Sequence, residues 1–252
     1  MKKKKKINTS KLMILLSFML MIIIFIYITL NSNLFNSSNI KIEGNKRIPT
    51  NEIIKILDIK EDKNIFMYNT KQMEEYLMKN NYIENVKIKR KIPNKLQILI
   101  IEKEIVAVLK QEEKYCYIDK KGDLIQEIEE LDKSENPVVV GVEYNLVDAK
   151  MIEFKNEETK KRLLYLLECM KKNNLYKKIN KINFKKSDTI KMYTNDNIEI
   201  ILPKDEKTDY NIAMVSSILS DLQGEHVKGG TIDFTYGNNP IYRPSKEILD
   251  KE

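Results

Sequence analysis

The chain has 252 residues, of which 44 are basic and 37 acidic, so its formal net charge is +7. Six of the lysines precede Leu12, and the rest of the chain is therefore close to neutral. That balance argues against a nucleic-acid surface, which depends on clustered positive charge. The two cysteines, Cys116 and Cys169, exclude a disulfide framework and leave one bridge or two free thiols as alternatives.

An apolar run from Leu12 to Leu30 predicts a transmembrane helix. At 1.5 Å per residue the run spans about 28 Å, close to the thickness of the hydrocarbon core. Lysines precede it, whereas 31–39 carries no charge, so the positive-inside rule places the basic tail 1–11 in the cytoplasm and the rest outside. The residues that determine this topology are Lys2, Lys3, Lys4, Lys5, Lys6 and Lys11.

A cleaved signal peptide is the alternative interpretation of this run. Its apolar region would be about 7–15 residues long and would end at a cleavage site with small residues. The sequence Leu30-Asn31-Ser32-Asn33-Leu34 offers no such site. We therefore predict a retained anchor over 12–30 and a linker over 31–39.

Residues 40–109 predict a compact domain with the order β-α-α-β-β. A strand at Ile40–Glu43 ends at the turn pair Gly44-Asn45, two amphipathic helices follow, and two strands then meet across Pro93-Asn94. The apolar positions that define the later elements are Ile53, Ile56 and Leu57 in the first helix, Met73, Tyr76 and Leu77 in the second, Val86 and Ile88 in the outgoing strand, and Leu96, Ile98 and Ile100 in the returning strand.

The two final strands of this domain differ in their exposure patterns. The returning strand is apolar on both faces, since Leu99 and Ile101 alternate with its inward residues, and this predicts a central position. The outgoing strand carries Lys87 and Lys89, charges that discourage uncontrolled pairing. We therefore expect the strand at Val86 to lie at an edge of the sheet.

Residues 110–244 predict a second domain, in which helices pack on an antiparallel sheet. The external part as a whole is thus of the α+β class. Apolar stripes predict one helix around 163–170 and another from Asp209 to Gly224. The predicted strands flank turns at Lys120-Lys121-Gly122, Asn195-Asp196-Asn197 and Gly237-Asn238-Asn239-Pro240, and residues 245–252 form a C-terminal tail.

Several short motifs along the first domain carry a resemblance to a known family. They are Ile40-x-Ile-x-Gly44-Asn45, the Pro49-Thr50 helix start, Ile83-x-x-Val86, Pro93-x-x-Leu96-x-Ile98 and the exit Glu102-Lys103-Glu104-Ile105-Val106-Ala107. With these motifs, residues 40–109 resemble the POTRA domain of the FtsQ/DivIB family of bacterial cell-division proteins. The family's exit reads Glu-Arg-x-Pro-x-Ala, from which Lys103 and Ile105 depart.

The second domain resembles the β domain of the same family. It has the Ile118-Asp119-x-x-Gly122 hairpin, the passage Pro137-x-x-x-Gly141 and two closing strands at 232–236 and 241–244. The resemblance covers nearly the whole chain and rests on this succession of elements more than on any single motif.

The resemblance implies a non-catalytic divisome scaffold at the septum, which binds the bitopic proteins FtsB (DivIC) and FtsL outside the membrane. It also implies a partner surface at the C-terminal end of the β domain, where a partner adds a strand to an exposed edge. On the matching positions we expect the partner-binding residues to be Phe234, Tyr236, Gly237, Tyr242 and Arg243. Phe234 has an alternative role on the inward face of its strand.

Two other classes of protein fit the sequence less well. A POTRA-containing chaperone or transport accessory protein is the runner-up, but one POTRA-like unit is present and no series of barrel strands. An anchored cell-wall hydrolase would need activated acids or metal ligands, and the single histidine, His226, is explained more simply as a loop residue near a helix end. We accordingly expect no enzymatic activity, cofactor, metal or small-molecule substrate.

Overall fold

The computed structural model of the chain divides into two compact units, Met1–Glu102 and Lys103–Glu252. The division falls before the domain boundary that we placed at residue 109, because the strand that begins at Ala107 pairs within the second unit. The structure describes residues 9–60, 62–131, 135–147, 151–186, 188–204, 207–237 and 239–245.

The first unit begins with a long apolar helix and continues as a small sheet with two helices. The helices are α1 (Thr9–Asn31), α2 (Thr50–Ile56) and α3 (Thr70–Leu77), and the strands are β1 (Asn39–Glu43), β2 (Ile83–Lys91) and β3 (Lys95–Glu102). Within the described ranges, α1 is the one helix long and apolar enough to span a membrane. After α1, the predicted order β-α-α-β-β is confirmed.

The sheet of the first unit has the order β1-β3-β2, with β1 parallel and β2 antiparallel to β3. The predicted central position of β3 is confirmed, as is the edge position of β2. Alternate residues of β3, including Leu96 and Ile98, are fully buried against α2 and α3, whose core residues are Ile53, Met73 and Leu77. The apolar stripes of the sequence thus account for most of the core of this unit, but Ile56 and Tyr76, which belong to the predicted stripes, are exposed.

The second unit is built on one large sheet. Its strands are β4 (Ala107–Gln111), β5 (Lys114–Ile118), β6 (Leu124–Ile128), β7 (Val138–Val140), β8 (Tyr144–Val147), β9 (Met151–Phe154), β10 (Ile179–Asn183), β11 (Thr189–Thr194), β12 (Ile198–Pro203), β13 (Gly230–Asp233) and β14 (Ile241–Arg243). Its helices are α4 (Glu157–Lys172) and α5 (Thr208–Gly224).

In the described part of the chain, the large sheet has the order β14-β13-β12-β11-β10-β7-β4-β5-β6, and β8 and β9 form a separate hairpin. The α+β class is confirmed, but the sheet is mixed, where we predicted an antiparallel one. The pairs β4–β7, β7–β10 and β12–β13 are parallel. Parallel neighbours need a crossover connection, and between β12 and β13 this crossover is α5.

Both helices of the second unit bury their apolar stripes in one core. Leu163, Leu166 and Met170 of α4 and Ile212 and Val215 of α5 are fully buried there. Cys116 and Cys169 are also buried and are unpaired. Of the two alternatives left by the sequence, the structure has the free thiols.

Candidate functional site

The candidate site is one of the two edges of the large sheet, the one formed by β14. This strand pairs antiparallel with β13, and Ile232 lies directly opposite Tyr242. No strand in the described part of the chain pairs with the other side of β14. The predicted edge position of Tyr242 and Arg243 is therefore what the structure shows.

The backbone of β13 determines which groups of the edge strand are used inside the sheet. The amide of Phe234 donates a 2.9 Å hydrogen bond to the carbonyl of Ile201 in β12. Because backbone polar groups alternate in direction along a strand, Phe234 and Ile232 direct theirs toward β12. Thr231 and Asp233 direct theirs the opposite way, toward β14.

The same alternation continues across to β14. Thr231 lies opposite Arg243, and Asp233 lies opposite Ile241, so these two pairs share the hydrogen bonds between the strands. Tyr242, between Ile241 and Arg243, directs its N–H and C=O away from the sheet. One donor and one acceptor are thus presented at an open edge, which is the requirement for pairing with a further strand.

The aromatic ring of Tyr242 is used within the unit itself. It is half-buried and packs against the core, and its hydroxyl donates a 2.8 Å hydrogen bond to the carbonyl of Gly229. The ring covers Gly230, where an added Cβ would lie 2.8 Å from the ring and 2.6 Å from the carbonyl oxygen of Arg243. Burial raises the pKa of Tyr242 further above neutral, where a tyrosine hydroxyl is already a donor. The side chain therefore holds the edge strand down.

Asp233 organises the surface beside the edge. One oxygen of its buried carboxylate accepts two hydrogen bonds from Thr235, one from the backbone amide at 3.0 Å and one from the side-chain hydroxyl at 2.7 Å. The Arg243 guanidinium donates to the other oxygen at 2.7 Å and lies over the ring of Tyr236, 5.2 Å from its centroid. Tyr236 is 62% exposed. Arg243 and Tyr236 are thus brought together as a flat cationic and aromatic surface.

The remaining predicted site residues lie in different settings. Phe234 is 6% exposed and belongs to the core, so its inward alternative describes its position. Gly237 is exposed at a positive φ of 89° with open space around it. Of the predicted topology determinants, Lys11 lies in α1, and Lys2, Lys3, Lys4, Lys5 and Lys6 lie outside the described residues.

Two residues of this site are not predicted by the sequence motifs. Asp233 lies between Ile232 and Phe234, where an acid marks the outward face of the strand. The pair Gly229-Gly230 before a strand is a signal for close backbone approach. Among the residues that the structure describes, no cluster of His, Cys, Asp and Glu could hold a metal ion.

In the part of the chain that the structure describes, the protein has two domains that follow one apolar helix: a POTRA-like domain and a domain built on a mixed sheet. Two family models match it: "POTRA domain, FtsQ-type" over residues 35–103 and "Cell division protein FtsQ/DivIB, C-terminal" over residues 107–234. The chain belongs to the FtsQ/DivIB family of cell-division proteins, as its sequence motifs predicted. The second match ends before β14, so of the predicted site residues it includes only Phe234.

Relatives named cell division protein DivIB extend the match along the chain. One from Clostridium botulinum (strain Hall) is 29% identical over 243 residues, which cover 95% of this chain and 93% of the relative. One from Staphylococcus aureus (strain NCTC 8325) is 27% identical over 82% of this chain but only 45% of the relative. The solved extracytoplasmic domain of DivIB from Geobacillus stearothermophilus covers 49% of this chain at 15% identity, with a TM-score of 0.35, too low to support an argument.

Proposed function

We propose that this protein is a non-catalytic scaffold of the division machinery that captures other division proteins by strand addition at β14. Membership of the FtsQ/DivIB family supports a division role over the transport alternative. The partners that the family resemblance implies are bitopic proteins of the FtsB/DivIC and FtsL type, which bind at the septum. The observation that carries the proposal is the outward-directed N–H and C=O of Tyr242.

The surface around this edge suits an extended peptide. Ile241 and Arg243 point to one face of β14, and Tyr236 lies beside them with its ring exposed. A partner strand would gain backbone hydrogen bonds from Tyr242 and side-chain contacts from Ile241 and Tyr236. Aromatic and arginine side chains are the types that most often dominate binding energy at interfaces.

The proposed topology places this edge outside the cell membrane. By the positive-inside rule, the lysines before Leu12 favour a cytoplasmic N-terminus, and in that topology the parts of both units that follow α1 lie on the outer side. Protease added to cells stripped of their wall should digest everything beyond α1. Protection of the two units would contradict this topology.

The binding test compares two substitutions at one position. Tyr242→Pro and Tyr242→Ala both remove the ring, but only proline removes the outward N–H, and a proline is tolerated at an edge where that N–H faces solvent. Full-length protein in nanodiscs is titrated with DivIC-like and FtsL-like ectodomains. We expect proline to weaken binding at least tenfold more than alanine does, which is about 1.4 kcal/mol.

Circular dichroism provides the control for folding in this comparison. Equal binding by folded proline and alanine variants would show that the N–H of Tyr242 is not used and that the partner binds elsewhere. A fluorescently tagged chain provides the cellular test, because a division scaffold collects in a band at midcell. Uniform membrane fluorescence would contradict the division role.

A further inference from the structure

The part of the first unit that follows α1 is joined to the end of that helix by a buried side chain, that of Asn64. Asn64 donates hydrogen bonds through Nδ2 to the carbonyls of Thr29 at 2.9 Å and Leu30 at 3.0 Å, and its Oδ1 accepts the amide of Phe66 at 2.9 Å. The last carbonyls of a helix have no partners within the helix, so Asn64 satisfies two of them from another segment. The 3-10 turn Ile65–Met67 is thereby held at the end of α1.

A second set of contacts strengthens this junction. The amide of Ser37 donates to the carbonyl of Lys63 at 3.0 Å. The ring of Phe35, in the 3-10 turn that follows α1, packs against the ring of Phe66 with centroids 5.5 Å apart. The chain just after α1 and the turn Ile65–Met67 therefore form one packed structure.

The turn between β2 and β3 reaches the same end of the unit. Arg90 donates through Nε to the carbonyl of Ile65 at 2.8 Å, and Asn94 donates to the hydroxyl of Ser38 at 2.9 Å. Ile92 lies between these two anchoring residues. Three separate segments thus converge on the end of α1.

These segments expose large apolar side chains where they converge. Singly exposed apolar residues are ordinary on a protein surface, whereas a group of them beside a spanning helix calls for a partner. We call this group the apolar ledge. Its members are Leu34, Phe66, Met67 and Ile92, with exposures between 39% and 73%.

The position of the ledge identifies what covers it. The 23 residues of α1 measure about 34 Å, slightly more than a hydrocarbon core of about 30 Å, so α1 ends at the level of the lipid headgroups. Leu34 follows within one turn. The segments that Asn64 holds at the end of α1 lie close to this level, where apolar side chains are buried by lipid.

The positive charges near the apolar ledge are also consistent with a position beside lipid headgroups. Lys91 and Lys95 lie directly opposite each other in the β2–β3 register, at the end of the sheet that carries Ile92. Like charges in this arrangement repel each other, and lipid phosphates relieve that repulsion. Lys63 precedes the turn Ile65–Met67, and its ammonium lies over the ring of Tyr68, 4.6 Å from the centroid.

We propose that the apolar ledge inserts into the interfacial layer of the leaflet in which α1 ends and holds the first unit at a fixed tilt to the membrane. The proposal rests on α1 being the membrane span of the proposed function. It adds a second, independent membrane contact to the anchor. The POTRA-like unit is then seated on the bilayer by its three converging segments.

The chain contains no tryptophan, so single-tryptophan variants report directly on the ledge. Full-length Phe66→Trp and Ile92→Trp are reconstituted in phosphatidylcholine and phosphatidylglycerol vesicles that carry bromine on carbons 6 and 7 of the acyl chains. The matched control is Ile101→Trp, an exposed position in the same sheet that pairs with Asn85 at its opposite end. Phe18→Trp, in α1, reports on the span itself.

We expect bromine to quench Phe66→Trp and Ile92→Trp at least threefold more strongly than Ile101→Trp, with Phe18→Trp also quenched. Unfolded variants are identified by their melting curves, and Leu34→Trp then replaces either ledge variant. Quenching at Phe18 but not at the ledge would overturn the ledge and leave the span intact. Blue-shifted ledge emission without bromine quenching would also overturn it, since a protein would then cover the ledge. No quenching at Phe18 would refute the span.

Discussion

Two edge strands of this molecule differ in whether their outward backbone groups have partners within the protein. They are β2 in the first unit and β14 in the second. Along β2 the amide of Ile88 donates to the carboxylate of Glu74 at 2.7 Å, and the amide of Val86 donates to Oδ1 of Asn85 at 2.8 Å. Side chains of the protein thus occupy two outward donors of that edge, the amides of Val86 and Ile88. In β14, by contrast, no strand among the described residues pairs with the outward groups of Tyr242.

Charge reinforces the difference between the two edges. β2 carries Lys87 and Lys89 on its exposed face, and Lys87 forms a 3.5 Å ion pair with Glu74. In β14 the one charge, on Arg243, is paired with Asp233. Charged and capped edges resist pairing with other strands, whereas a neutral open edge permits it. The long edge strand β2 is thus protected against pairing with another strand, whereas the short edge strand β14 is available for it.

The largest effect should come from destroying the helix that protects β2. Leu77→Asp places a charge where the native side chain is fully buried in α3, which also carries Glu74. An unpaired buried charge costs several kcal/mol against a marginal domain, so we expect the first unit to unfold and its β2 edge to be uncovered. Differential scanning calorimetry of the full chain measures this loss.

Tyr76→Asp is the matched control for Leu77→Asp. Tyr76 precedes Leu77 in the same helix but is exposed, so this substitution should leave the melting temperature nearly unchanged. A parent-like melting curve for Leu77→Asp would contradict the packing of α3 in the core.

A smaller effect is expected at the open edge. Gly230→Ala combines a backbone at φ +108° with a Cβ that would collide with Tyr242 and with the carbonyl of Arg243. Strain at such a backbone position is of order 1–3 kcal/mol. We expect β14 to detach and partner binding to fall while the core stays folded, as measured by ectodomain binding and circular dichroism.

Gly237→Ala separates the two causes of this effect. Gly237 also has a positive φ, of 89°, but no heavy atom lies within 4 Å of an added Cβ. An alanine there therefore has the backbone strain without a collision. We expect it to keep β14 in place and to bind partners better than Gly230→Ala does. Equal losses in the two variants would show that the collision at Gly230 adds nothing to the effect of the backbone strain.

The smallest effect should come from uncapping β2. Glu74→Ala leaves the amide of Ile88 without its carboxylate partner. Because water can reach this edge, we expect the free energy of unfolding to fall by about 1 kcal/mol, the low end for an unsatisfied donor. The newly open edge should raise self-association in sedimentation experiments. Glu75→Ala changes an exposed neighbour as the control. Self-association that stayed at the parent level would show that the caps do not protect β2.

Much of the fold of the first unit could be predicted because its signals are local. Helical stripes ending at Leu77 and the doubly apolar pattern of Lys95–Ile101 correspond directly to α3 and the central strand. The mixed order of the large sheet could not be predicted in this way. Parallel partners such as Val139 and Ile182 are distant in sequence, and no turn residue between them fixes their pairing.

The candidate site was predictable in position but not in detail. A terminal strand after the Pro240 turn indicates an edge, which is where Tyr242 lies. Whether the backbone groups of Tyr242 point into or out of the sheet depends on which residues of β13 bond to β12. The hydrogen bond from Phe234 to Ile201 decides this, and it joins residues that are distant in sequence. The capping of Ile88 by Glu74 likewise joins residues of different elements, so no periodicity reveals it.

The place of β14 in the chain also sets an order in time. Every other strand of the large sheet precedes it, and so do both helices that fill the core. A chain that crosses a membrane from its N-terminal side delivers the residues of that core before Ile241 emerges. In the proposed topology the proposed partner edge is thus completed last, and capture through it would mark chains whose export has reached at least Arg243.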